Sequence, residues 1–318
     1  MNLPAPYHLR VPFTSANLGP GFDLFGVALD LYARFQFTFE EPGQYRLFDE
    51  QERPLDLPGD KNYIRKAYLA TLEGKLPPEE IPGMTVHFQN DIPGGRGFGS
   101  SACAFVAGTR AAAHLLESRG MPVPSQTDEL RLLDRLEGHP DNSTPALIGG
   151  WTVVYDQPQT DQEFACLRKE LPEDLGFVAL IPDYTVSTKK SRTVLPPKIR
   201  REEALSGMRG TLLWLEYIHT GRPELLERAL LSDLLHEPYR AANIPGFHEL
   251  RESLPCHGIT ISGSGPGLLV YYSRAEENDL RGEIESRVQK ISERGNHRTT
   301  LKYCLPDYEG AVTETPGG

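Results

Sequence analysis

Residues 91–116 read DIPGGRGFGSSACAFVAGTRAAAHLL, and the reading of this stretch decides the fold. Just upstream, Met84, Val86 and Phe88 alternate with Thr85, His87 and Gln89, the period of a half-buried strand, and Pro93 ends its pairing. Gly94, Gly95, Gly97 and Gly99 then let the backbone bend sharply and approach a ligand closely. Ser100 and Ser101 open a helix whose first N–H groups have no intrahelical partner, and an alanine-rich run carries it to Gly120 and Pro122. Such a helix N-terminus suits a phosphate, and the serine hydroxyls suit phosphate oxygens or a magnesium ion. No Lys follows the last glycine as in a Walker A loop, and the spacing is not the dinucleotide fingerprint. Taken alone, the stretch therefore reads as a tight turn with a capped helix, and the rest of the chain must decide.

The 318 residues suffice for one large core or two smaller ones. A hydrophobic content of 39% with 24% charged residues is that of a soluble globular protein. The net charge of −11 repels nucleic acid and anionic lipid, so neither is an expected partner and any phosphate must be held by a local site. Cys103, Cys166, Cys256 and Cys304 are scattered and form no CxxC pair, which indicates neither a zinc site nor a disulfide framework. Free thiols, no bilayer-length apolar run and an N-terminus without a signal-peptide core predict a cytoplasmic protein.

Residues 7–13 predict a first strand and residues 14–26 an irregular loop holding Asn17 and Asp23, both also ordinary turn-capping types. Phe35, Phe37 and Phe39 mark a strand with one buried face, and residues 41–60 a turn-rich segment. Helical spacing follows from Asn62 through Leu72 and again over residues 127–137, where Gly138 stops a helix ending in Glu137. His139, Pro140, Asp141 and Asn142 come next, a cluster that on its own serves equally as a helix-end cap. Residues 156–163, DQPQTDQE, are the expected domain boundary. Beyond it the reading gives a strand at 177–181 and a polar loop at 184–197, in which Thr188 and Arg192 would share a face if helical. Helices follow at 205–220 and 223–235, then a break carrying Arg240, two strands around a glycine turn at 258–272, a charged helix at 275–295 and a strand at 299–305. The tail, 307–318, reads as disordered.

Three stretches together resemble the GHMP small-molecule kinases: VPFTSANLGPGFD at 11–23, PGGRGFGSSACA at 93–104 and ISGSGPGLLV at 261–270. Between them EGHPDNSTPALIGG, TKKSRTVLP and LHEPYRAANIPG resemble segments particular to the homoserine kinases of that superfamily. The matches are collinear over nearly the whole chain, which removes most of the weight of the blander reading of each stretch.

The resemblance implies a two-domain α/β (α+β) fold, with an N-terminal ATP-loop domain over 1–160, a ferredoxin-like domain over 161–306 and the active site between them. It implies ATP and Mg2+ as cofactors and transfer of the γ-phosphate to the hydroxyl of L-homoserine. The ATP phosphates would lie on Pro93, Gly94, Gly95, Arg96, Gly97, Phe98, Gly99, Ser100, Ser101, Ala102 and Cys103, with Asn62 near the adenine and the metal on Ser101 and Glu137. Homoserine would be held by Asn17, Asp23, His139, Asn142, Thr188, Arg192 and Arg240, of which Asn142, Thr188 and Arg192 are assigned to catalysis. Several relatives use Asp as a base where this chain has Asn142, and an amide takes no proton, so positioning and charge stabilisation would carry the rate. Phe98 stands where Leu is usual and Cys103 where Ala is usual; Arg96 is read as pointing to water rather than to a phosphate. Ser143 and Thr144 stand where apolar or small residues are common. The rival readings are another GHMP kinase, for mevalonate, a sugar or an isoprenoid precursor, and a non-catalytic binding module. A homodimer is left open.

Overall fold

The computed structural model describes residues 3–155 and 166–315, the side chains of 188–190 excepted. The boundary expected at 156–163 and the last three residues lie outside that description.

The chain starts with β1 (Tyr7–Ala16) and β2 (Phe25–Glu40), paired antiparallel with Tyr7 opposite Phe37 and Ala16 opposite Gly26. β1 runs three residues past the expected strand, into the segment read as loop. β3 (Tyr45–Phe48), α1 (Tyr63–Leu72) and β4 (Gly83–Asn90) follow, with β3 parallel to β4 inside the segment read as turns. Then come α2 (Ser100–Ser118), α3 (Gln126–Glu137), α4 (Ser143–Ile148), β5 (Trp151–Val154) and β6 (Cys166–Lys169). The second half holds β7 (Leu175–Pro182), α5 (Thr188–Thr193), α6 (Arg201–Thr220), α7 (Pro223–Leu230), α8 (Glu237–Arg240) and α9 (Phe247–Ser253). It closes with β8 (Gly258–Ile261), β9 (Leu268–Ser273), α10 (Glu277–Arg294), β10 (Thr299–Cys304) and β11 (Val312–Thr313).

Two sheets result. The seven-stranded one runs β11-β1-β2-β4-β3, with β5 paired to β2 and β6 to β5; the four-stranded one runs β10-β7-β9-β8 and is antiparallel throughout. Alternation on β7 explains its unbroken apolar run: Phe177, Ala179 and Ile181 enter the core shared with the first sheet, while Val178 and Leu180 enter a second core under α9 and α10. β9 splits its side chains the same way, Leu269 and Tyr271 against Leu268, Val270 and Tyr272.

The helix α2 lies at the centre of the first core, and its small residues are there for contact distance as much as for helix propensity. A Cβ on Gly108 would sit 2.1 Å from the carbonyl oxygen of Ile64, so α1 and α2 touch backbone to backbone. A Ser125–Asp128 capping box starts α3 and Gly138, at φ 81°, ends it. Trp214 of α6 bridges the sheets, 6.0 Å from both Trp151 and Tyr271 by ring centroid, with its N–H on the Leu18 carbonyl at 3.0 Å.

Three expectations need correction. The segment 184–197 is not all loop, because 188–193 form α5 and bring Thr188 and Arg192 onto one helical turn. The helix expected over 223–235 ends at Leu230, where the Asp233 carboxylate draws the following N–H groups of Leu235, His236 and Glu237 into a new start. Most clearly, the tail is ordered through residue 315. Its β11 pairs with β1, and Asp307 is a buried junction: Oδ1 accepts from the N–H groups of Glu309 and Gly310, and Oδ2 accepts from the Tyr32 hydroxyl at 3.0 Å. Composition hid this because the β11–β1 pairing and the Tyr32 bond join the tail to residues far away in sequence. The first sheet accordingly recruits β6 and β11 from outside residues 1–160. Replacing Asp307 by Ala should cost about 3 kcal/mol by stranding these donors. In a thermal melt that is a fall in Tm of roughly 4–5 °C for a chain of this size; an unchanged melt would show the tail to be dispensable.

Candidate active site

A cleft of about 610 Å³, open to solvent, lies where the glycine loop before α2 meets the turn between β8 and β9. Its walls include Asn17, Asp23, His139, Asn142, Arg192 and Arg240, six of the seven side chains expected around a substrate. Gly95, Gly97, Gly99, Ser100 and Ser101 line the same cleft. Thr188 opens α5 one turn before Arg192, and its side chain lies outside the described residues.

Gly95, Gly97 and Gly99 all have φ between 70° and 86°, where a side chain is strained. Gly99 is the N-cap of α2, so the N–H groups of Ser100, Ser101 and Ala102 point out of the helix without an i−4 acceptor. The expected phosphate cradle narrows at its ends. Pro93 has no N–H, and the Cys103 N–H already donates to Gly99 at 2.9 Å. The side chains of Phe98, Ala102 and Cys103 face the core, and burial pushes the Cys103 thiol pKa up. Arg96, half-exposed, is anchored to main-chain carbonyls. It donates to the carbonyls of Pro182 at 2.7 Å and Asp183 at 3.2 Å, at the end of β7, and back to Gly94 at 2.9 Å. Asn62 caps α1 by accepting the Arg65 N–H, and it is not among the residues lining the cleft.

Deeper in, the Ser101 hydroxyl donates to Glu137 Oε1 at 2.9 Å, while Glu137 Oε2 is buried and, among the described residues, has no hydrogen-bond partner. Burial raises the Glu137 carboxyl to about 7, against the pull of His139 and with a further push from Asp141. His139 Nδ1 lies 2.7 Å from Asp141 Oδ1; burial opposes a charge on this ring, but the Asp141 hydrogen bond and charge outweigh it and raise the pKa. Asn142 Oδ1 accepts from Thr14 Oγ1 at 2.8 Å, which turns its NH2 toward the cleft side and Asp141. Ser143 and Thr144, the two residues at odds with the usual pattern, are fully enclosed at the start of α4 with unpaired hydroxyls.

On the opposite wall, Asn17, Leu18 and Asp23 hold positive φ in one short loop, a concentration of backbone strain. The Asn17 amide fixes it, donating to the Gly263 carbonyl at 2.9 Å and accepting the Asp23 N–H at 3.0 Å. Arg192 grips Asp23 with two parallel bonds of 2.8 and 3.0 Å. Arg240 is only 4% exposed and, among the described residues, forms no ion pair. It donates instead to the carbonyl of Gly263 at 2.9 Å and faces His236 Nδ1 at 3.4 Å. His236 is fully buried with Nε2 on the Gly19 carbonyl at 3.1 Å, and burial lowers its pKa, so the neutral ring presents Nδ1 as an acceptor to the guanidinium. Thr14, His236 and the Gly263–Ser264 turn were not singled out as site residues from sequence, although all of them lie inside the quoted motifs.

A helix N-terminus at a glycine loop, wedged against a second glycine turn and facing two arginines, defines a phosphoryl-transfer site of the GHMP type. The GHMP kinases N terminal domain family matches residues 62–150. A homoserine kinase of Solibacter usitatus is 33% identical over 306 residues, 95% of each chain, and one of Desulfitobacterium hafniense is 36% identical over 310 residues, 96% of this chain and 98% of that one. The crystal structure of a homoserine kinase from Cytophaga hutchinsonii shares the fold with a TM-score of 0.83 at 23% identity, over 99% of both chains. The chain therefore belongs to the homoserine kinase family of the GHMP kinases.

The shifted Glu137 gives a signed prediction for the metal-free protein. Its carboxyl titrates near 7 when folded and near 4.5 when unfolded, so the folded state holds the extra proton and its advantage is lost as pH rises from 4.5 through 7. Glu137→Gln, measured by denaturant unfolding without magnesium, should gain stability relative to wild type across that window and level off above it; a constant difference from pH 4.5 to 8 would show the carboxyl to be unperturbed.

Proposed function

We propose that the protein transfers the γ-phosphoryl group of ATP to the side-chain hydroxyl of L-homoserine, giving O-phospho-L-homoserine for threonine biosynthesis in the cytoplasm. The observation that carries the substrate is Arg240, a buried cation without a carboxylate, beside the Asp23–Arg192 pair. Burying an unpaired guanidinium is costly unless an anion joins it. An α-amino acid brings one carboxylate and one ammonium. It can exchange with the Asp23–Arg192 pair so that its ammonium meets Asp23 and its carboxylate meets Arg192 and Arg240, leaving no charge alone. A sugar offers neither group, and mevalonate offers only the anion, so Asp23 is the discriminating side chain.

The triphosphate is assigned to the N–H groups at the start of α2, with the adenine toward Asn62. The orphaned Glu137 Oε2 next to Ser101 fits a magnesium ion, which takes one or two protein oxygens and completes its shell with phosphates and water. When bound it supplies neutralisation of the phosphate charge. Around it the chain's own groups position the acceptor: Asn142, oriented by Thr14, and His139, oriented by Asp141, border the space between the phosphate-binding helix and the arginines. Asn142 takes no proton, so the acceleration is ascribed to in-line positioning and to amides and arginine meeting the spread charge. The hydroxyl proton is assigned to the transferred phosphate.

ADP release with magnesium-ATP, offered L-homoserine, mevalonate, galactose or no acceptor, should occur with homoserine alone. Arg240→Leu should lower kcat/KM for homoserine by about 100-fold or more, chiefly through KM. ATP binding without turnover on any acceptor would make the chain a binding module. An acid limb in phosphoryl transfer that disappears in Asp141→Asn would make that carboxylate the base.

A further inference from the structure

His236 joins the two parts of the cleft wall assigned to the ends of the amino acid, yet it is not among the residues that line the cleft. It stands where the Asp233 carboxylate accepts the N–H groups that start α8. Its ring is fully enclosed and stacks on Phe22, with 5.5 Å between ring centroids. Nε2 lies 3.1 Å from the Gly19 carbonyl oxygen and 3.3 Å from Asp233 Oδ2. A carbonyl only accepts, so Nε2 carries the proton of the neutral ring and Nδ1 keeps its lone pair.

Arg240 comes four residues later, and its donors are shared out atom by atom. Nη1 has two protons and faces two acceptors, the Gly263 carbonyl at 2.9 Å and His236 Nδ1 at 3.4 Å, while Nε faces the Ser191 carbonyl at 3.4 Å. Among the described residues no hydrogen bond is made by Nη2, which leaves that end of the guanidinium for a carboxylate. Gly19 belongs to the loop that carries Asn17 and Asp23 at positive φ, so the imidazole ties that loop to the guanidinium from behind. An α-amino acid carries its ammonium and carboxylate on one carbon, and a site for it needs a carboxylate and an arginine at one fixed spacing. We propose that His236 is a positioning residue, which through Nδ1 holds Arg240 at the spacing from Asp23 that an α-amino acid requires. This role presupposes that Arg240 meets the substrate carboxylate, as read above.

Leu and Asn have nearly the same shape, and only Asn puts an acceptor where Nδ1 stands, so His236→Leu and His236→Asn together isolate that acceptor. With magnesium-ATP, His236→Leu should raise KM for L-homoserine about tenfold or more and leave kcat and KM for ATP within about twofold of wild type. His236→Asn should recover most of that loss. Added to Arg240→Leu, His236→Leu should change nothing further, because its effect passes through Arg240. Nitrogen-15 NMR of the wild-type protein should show the His236 ring protonated at Nε2. Wild type active on homoserine, with KM unmoved in His236→Leu or raised equally in His236→Asn, overturns the role of His236 and leaves the function standing. A ring protonated at Nδ1 overturns it too, with no variant needed. A wild-type protein inert toward homoserine overturns the function and this role with it.

Discussion

Everything in this molecule depends on how closely two glycine-rich turns approach each other. A Cβ on Gly97 would lie 2.3 Å from the Ser262 carbonyl oxygen, and one on Gly267 would lie 2.4 Å from that of Arg96. In that space the Gly267 N–H donates to the Arg96 carbonyl at 3.0 Å and the Ser262 hydroxyl to that of Gly97 at 2.8 Å. The contact sets the N-terminus of α2 against the end of the second sheet. Thr14 then meets Asn142, and Asn17, just past β1, meets Gly263, just past β8, although each pair is far apart in sequence.

Much of this was legible, and the reasons differ from element to element. Phe35, Phe37 and Phe39 of β2 all enter the core while Gln36 and Thr38 between them are exposed, as the spacing demands, and β7 appeared as an apolar run because both its faces are covered. The alanines of α2 suggested a helix on propensity alone, whereas Gly108 against Ile64 shows that smallness was the stronger requirement. The tail and β6 escaped because short polar strands owe their order to partners elsewhere in the chain. Within the site, Asp23, Arg192 and Arg240 were found through motif resemblance, and their geometry added what no motif carries: two of them are paired and the third is not. His236 went unassigned because a buried neutral imidazole supporting an arginine leaves no periodic trace.

The electrostatics are local in the sense that the composition demands. A chain with a net charge of −11 gathers Arg192 and Arg240 around Phe22, at 5.9 and 5.3 Å from its ring, and places His139 and Asp141 across the cleft, with Glu137 behind Ser101. Protons and cations compete for the second group, and anions are drawn to the first. The division of the cleft into two charged halves is therefore a property of a few side chains set against the general field.

Arg96 changes how the cleft is expected to move. Its guanidinium joins the glycine loop to the carbonyls at the end of β7, so any parting of the loop from the second sheet must first break these bonds. On the other side of the cleft the short α5 segment is tied down in its turn, with Arg192 latched to Asp23. Both side chains of that pair are partly exposed, so the latch is one that rising ionic strength loosens.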